Sequence, residues 1–157
     1  MTITLFSRPV HSGKTTELQQ WAAGRQGVAG ILMPDVEGVR HFEAIGTGLR
    51  WPIDLVEPPA TSGKILTAGP YRFTEQAFAK ASPYLRFYPG ISWLLIDEIG
   101  KLELRGDGFA PAFRHILQTA QPSSGQLLLV VRDTLVEPVM EHFELPGVRF
   151  VHSLNEL

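Results

Sequence analysis

Residues 2–16 read T2-I-T-L-F-S-R-P-V-H-S-G-K-T-T16. The first five form a short apolar-rich run that predicts a strand over 2–6. Residues 14–24 place Leu18, Trp21 and Ala22 on one face and predict a helix. Between them, S7-R-P-V-H-S-G-K-T-T16 occupies the turn where loop amides and the dipole of a helix N-terminus converge on an anion. Gly13 lets the backbone approach phosphates closely, Lys14 sets a point charge against β/γ oxygens, and Thr15 offers a hydroxyl to Mg²⁺. Thr16 adjoins the α-phosphate position, and His11 and Ser12 in the loop interior complete the candidate nucleotide-binding set. His11 either touches phosphate or base or serves as a spacer. The pattern is of Walker A type, G-x-x-x-x-G-K-[ST], except that Arg8 stands at the first glycine. Arg8 reads either as an arm reaching back over the phosphates or as an exposed loop arginine.

Working outward, the chain alternates strand and helix signals. V28-A-G-I-L-M33 reads as a second strand. Residues 74–82 form a helical stripe (Ala77, Phe78, Ala81) that Pro83 should end. I91-S-W-L-L-I-D97 is apolar on both faces, as buried parallel strands are, and L127-L-L-V-V131 repeats that character after a helix over 109–120. Leu135, Val136, Val139, Met140 and Phe143 mark a further helix before a last strand at 148–151. The fold class expected is α/β: three layers, a mainly parallel sheet with helices on both faces. Residues 39–73 break the rhythm with short alternating segments. H-F-E-A-I and L-R-W-P-I-D-L-V flank Gly46-Thr47-Gly48 as a hairpin, and a Pro58-Pro59 loop follows, so this stretch is read as an insertion. One domain is expected over 1–157.

Composition narrows the chemistry. The chain has 157 residues, 44% hydrophobic and 19% charged, enough to bury a packed core. A net charge of −2 gives no broad basic field for DNA or an anionic membrane, so phosphate chemistry must be local. With no cysteine, disulfides, thiolate zinc sites and cysteine nucleophiles are excluded, which suits a cytoplasmic protein. The start is too short and uncharged for a signal peptide, and no apolar run approaches ~18 residues. No two histidines sit at metal-ligand spacing, and no G-x-S-x-G turn is present.

W93-L-L-I-D-E98 is the second chemical signal, an acidic Walker B-type strand end. A carboxylate there is costly unless solvated, paired or bound to an ion, and ligands of open α/β sheets bind outside the carboxyl ends of strands. Asp97 is accordingly the candidate Mg²⁺ ligand beside Thr15. Glu98 is the candidate general base for an attacking water. Arg132, directly after the 127–131 strand, either stabilises transition-state charge at the γ-phosphate or pairs with Asp133. Lys101 either reaches the phosphates or pairs with Glu103. Trp51, Tyr71 and Phe73 either stack on a base or belong to the core. Gly63-Lys64 is followed by Ile65 where a hydroxyl would be needed, and reads as a turn. Catalytic candidates are therefore Lys14, Glu98 and Arg132, with a nucleoside triphosphate such as ATP or GTP as the partner.

D97-E-I-G-K-L-E-L104, preceded by four apolar residues and followed by F109-A-P-A-F-R, resembles the extended Asp-Glu motif of the small thermophile-type nucleoside-triphosphatase family of P-loop proteins. The resemblance extends over most of the chain, including V28-A-G-I-L and G69-P-Y-R-F-T-E-Q-A-F. It implies slow, rather unselective Mg²⁺-dependent hydrolysis of ATP, GTP and related nucleotides. It further implies a RecA-like sheet with one strand between the phosphate-loop strand and the acidic strand. By position, Lys14 and Thr15 would bind phosphate and metal, Asp97 would hold Mg²⁺, and Glu98 would activate water; Lys101 would occupy the family's lysine in that motif. P9-V-H-S-G-K-T-T-E-L18 is also similar to the phosphate loop of type II thymidine kinases. A nucleoside or small-molecule kinase therefore stands as one alternative, and a nucleotide-binding switch with little turnover as another.

Overall fold

The computed structural model describes residues 1–9, 12–55, 63–145 and 147–157; His11 and the Pro58-Pro59 loop lie outside them. The apolar runs form four parallel strands at the centre of the molecule: β1 (Thr2–Arg8), β2 (Val28–Leu32), β8 (Trp93–Ile99) and β9 (Gln126–Arg132). Among the described residues the main sheet has eight strands. It runs in the order β10-β1-β9-β8-β2-β4-β3, with β5 paired to β4. Here β3 is Asp35–Val36, β4 Val39–Ala44, β5 Leu49–Pro52 and β10 Arg149–Val151. Strand β9 separates β1 from β8, the arrangement that the family resemblance implied.

Side-chain alternation divides the core in two. Leu5, Ile96, Leu129 and Val131 face one layer, with α2 (Glu75–Ala81), α4 (Ala110–Thr119) and α5 (Val136–His142). Phe6, Leu95, Leu128 and Val130 face the other, against Leu18 and Ala22 of α1 (Lys14–Ala23) and Leu154 near the C-terminus. Helices thus cover both faces of a mainly parallel sheet. On the first side Phe42, Phe78 and Phe109 meet with ring centroids 4.9–5.0 Å apart. Burying each such ring stabilises the fold by ~1.5–3 kcal/mol.

Several boundaries differ from the sequence expectation for local reasons. The strand expected at 91–97 runs Trp93–Ile99. Ile91 N–H instead closes a turn on the Tyr88 carbonyl, while pairing with β9 continues past Asp97 through a bulge: Asp97 opposes Val130, and Ile99 opposes Val131. Glu98 is the extra residue. The helix expected over 109–120 is one residue shorter at each end, because Phe109 and Ala120 serve as its caps. Helix α2 stops at Ala81, ahead of Pro83.

Within 39–73 the hairpin about Gly46-Thr47-Gly48 is β4–β5, and β4 continues the main sheet antiparallel to β2, Ile31 opposite Ala44. A second hairpin, β6 (Ile65–Ala68) with β7 (Tyr71–Thr74), turns at Gly69-Pro70. Strand β2 tolerates its neighbour's approach only through Gly30. A Cβ at that position would lie 2.0 Å from the Leu95 carbonyl oxygen, and φ there is +126°.

Candidate functional site

The carboxyl ends of β1, β8 and β9 open on one side of the sheet. The chain leaving β1 turns into α1 at Gly13, whose φ of +79° is left-handed and open to glycine. Space lies beside it, since an added Cβ would meet nothing within 4 Å. The Lys14 ammonium bridges the loop from within, donating to the carbonyls of Arg8 (3.1 Å) and Pro9 (2.8 Å). Burial lowers the Lys14 pKa, while the nearby Glu98 and Asp97 carboxylates raise it in part.

Thr15 joins the loop to the acidic strand. Its hydroxyl donates to Asp97 Oδ2 at 2.9 Å, and the Met33 N–H donates to the same oxygen at 3.0 Å. Asp97 is only 3% exposed. Burial pushes its pKa up to about 6, with these two hydrogen bonds opposing the rise. A hydroxyl that gives its proton to Asp97 keeps its lone pairs free for a cation.

Ser12, Gly13, Lys14, Thr15 and Thr16 line one wall of a cleft of about 500 Å³; Asp97, Glu98 and Arg132 line another. Glu98, turned by the bulge, forms an ion pair with Arg132, so Arg132 is not the partner of Asp133, which accepts from the Thr134 N–H. Arg8, the last residue of β1, is half-buried: it lies over the Phe6 ring and pairs at 2.5 Å with Glu17 of α1, so it is not an exposed loop arginine. Trp51 and Phe73 are core residues, 8% and 3% exposed. Tyr71 alone of the three aromatics reaches the cleft, beneath the Arg40 guanidinium, 3.4 Å from its ring centre. Lys101 opens the short helix α3 (Lys101–Leu104) and has no bond to Glu103. Glu103 is buried and accepts from the N–H groups of Gly100 (2.8 Å) and Phe109 (2.9 Å); burial raises its pKa. Lys64 pairs with Asp107 at 2.5 Å on the exterior, away from the cleft.

Arg40 and Asp54 also line the cleft, and sequence reading passed over both. Their signal was weak: an arginine and an aspartate in a hairpin segment look like solvated face residues. Among the described residues no cluster of three His, Asp or Glu is placed to hold a metal, and no helix is long and apolar enough to cross a membrane.

No protein-family model matches the chain, and no curated protein does either. Solved structures do. The crystal structure of THEP1 from the hyperthermophile Aquifex aeolicus superposes with a TM-score of 0.72, covering 99% of this chain and 92% of that one at 20% identity. The solution structure of a human cancer-related nucleoside triphosphatase gives 0.68, covering 96% and 87% at 24% identity. The fold is that of the P-loop NTPases. The resemblance read at D97–L104 therefore extends to the architecture of nearly the whole chain.

Proposed function

We propose that the protein binds a nucleoside triphosphate as its magnesium complex and hydrolyses the β–γ phosphoanhydride to diphosphate and inorganic phosphate, with broad base selectivity. The observation that carries this reading is the Thr15–Asp97 hydrogen bond, which ties the loop after β1 to the acidic end of β8 across one cleft. Amides at the start of α1 and the Lys14 ammonium suit polyphosphate oxygens. Ser12, Thr16 and, by sequence, His11 complete the cradle. The Thr15 hydroxyl and the Asp97 carboxylate form an all-oxygen donor pair, the hard set magnesium prefers when phosphates and waters fill its remaining positions. Bound there, the ion would offset charge on the β/γ oxygens. Glu98 positions a water and accepts its proton as the oxygen attacks the γ-phosphorus, while the Arg132 guanidinium beside it steadies charge on the transferring group. The whole 1–157 chain acts as one unit, and its lack of cysteine fits the cytoplasm.

Phosphate release from ATP, GTP, CTP and UTP, with and without Mg²⁺, tests the reading. Release from several of the four that depends on the metal is expected, and Lys14→Ala should abolish triphosphate binding. Triphosphates that bind no better to the wild type than to Lys14→Ala would refute it.

A further inference from the structure

Behind Glu98 and Arg132 lies a second cavity, of about 210 Å³, that shares Met33, Arg40, Tyr71, Glu98 and Arg132 with the phosphate-loop cleft. Its walls are otherwise mainly apolar, with Pro70, Phe78, Leu102, Phe109 and Leu135 among them. The acids it contains are engaged: Glu98 by Arg132, and Glu103 by the backbone of Gly100 and Phe109. Its two remaining cations, Arg40 and Lys101, have no acidic partner among the described residues. An apolar chamber with a few convergent polar groups is the usual form of a small-molecule site, and one whose boundary carries the candidate base borders the reacting phosphate.

Resting on the triphosphate reading above, we propose that this cavity holds a phosphoryl acceptor: a single-ring alcohol bearing one anionic group, most simply a carboxylate. Size sets the ring count. An apolar cavity of roughly 150 Å³ holds benzene, so this one takes a ring with one or two short substituents. The apolar walls suit the ring of the acceptor, and Arg40 and Lys101, without an acidic partner among the described residues, select the anionic substituent. The alcohol oxygen attacks the γ-phosphorus and forms an O–P bond while the bond from that phosphorus to the β–γ bridging oxygen breaks. Glu98 accepts the hydroxyl proton, and the nucleoside diphosphate leaves with the electron pair on its bridging oxygen. Arg40, held over Tyr71, and Lys101 bind the acceptor's anionic group.

The three hydroxymethylbenzoate isomers serve as probes, with benzyl alcohol as the uncharged control. At least one isomer should shift the NMR signals of Leu102, Phe109 and Leu135. With Mg-ATP it should yield a phosphate monoester by ³¹P NMR at the expense of inorganic phosphate. Lys101→Met should reduce the KM preference for that isomer over benzyl alcohol at least ~10-fold, a change of about 1.4 kcal/mol. The proposal is overturned if no isomer perturbs those signals, or if a bound isomer gains no phosphate while ATP still releases inorganic phosphate. A complete absence of diphosphate formation, with or without the probes, would instead remove the triphosphate reading and this proposal with it.

Discussion

Asp97 and Glu98 are neighbours in sequence with opposite surroundings. Asp97 is enclosed and accepts from Thr15 and Met33, whereas Glu98 is partly open and paired with Arg132. Successive residues of a regular strand face opposite sides; only the bulge at Glu98 lets both carboxylates border one cleft, as bulges beside functional sites do. Glu98→Gln keeps the shape and an acceptor for Arg132 but removes the base. We expect triphosphate binding by calorimetry to change less than ~3-fold and phosphate release to fall at least ~10²-fold, the usual contribution of a positioned base. Equal turnover in the variant would take Glu98 out of the chemistry. The identity of this acidic pair was legible in W93-L-L-I-D-E98, because a buried apolar strand that ends in two acids carries them to the sheet edge where ligands bind. The partner of Glu98 was not, because Arg132 becomes its neighbour only once β8 and β9 pair.

The elements around the site depend on contacts that spacing alone misassigns. Helix α3 has four residues, too few to stand alone. Glu103 holds it by accepting from Gly100, before α3, and from Phe109, which caps α4. From sequence Glu103 looked like a partner for Lys101, but residues two apart on a helix do not face each other. Glu103→Ala leaves two buried N–H groups without partners, each costing about 1–3 kcal/mol. Urea unfolding should therefore show a loss of about 2–6 kcal/mol, whereas a loss below about 1 kcal/mol would mean that water replaces the carboxylate. Gly30→Ala is the matching test for β2. With its Cβ 2.0 Å from the Leu95 carbonyl, β2 cannot keep its register with β8, and a large fall in soluble yield is expected on expression. The β4–β5 hairpin was readable from its alternation and its Gly-Thr-Gly turn, but its docking onto β2 was not, since an edge of matched polarity can pair with any free strand.

At the scale of the molecule, the strand order places Asp97 between both core layers, and its ionisation is coupled to the stability of the whole fold. Its pKa is about 6 when folded against an ordinary 3.8, so between those values the folded chain holds a proton that the unfolded chain releases. Stability contributed by protonated Asp97 is present in full below about pH 4 and is lost as pH rises through 6. A shift of that size corresponds to on the order of 3 kcal/mol. Glu103 shifts in the same direction, and exposed Glu156 in the other, so the wild-type profile alone does not isolate Asp97. The difference from Asp97→Asn does, because asparagine does not titrate. In metal-free buffer the wild type should lose stability relative to Asp97→Asn on passing from pH 4 to pH 6.5, with the difference level above that range, measured by urea unfolding at half-unit intervals. At pH 7.5 added Mg²⁺ with a triphosphate should stabilise the wild type more than the variant, since the phosphate contacts of Lys14 and the α1 amides remain in both but only a carboxylate gains from a cation held beside Thr15. A difference curve that stays flat across the acid range would mean that Asp97 ionises as easily as in the unfolded chain and that the cleft admits water to it freely.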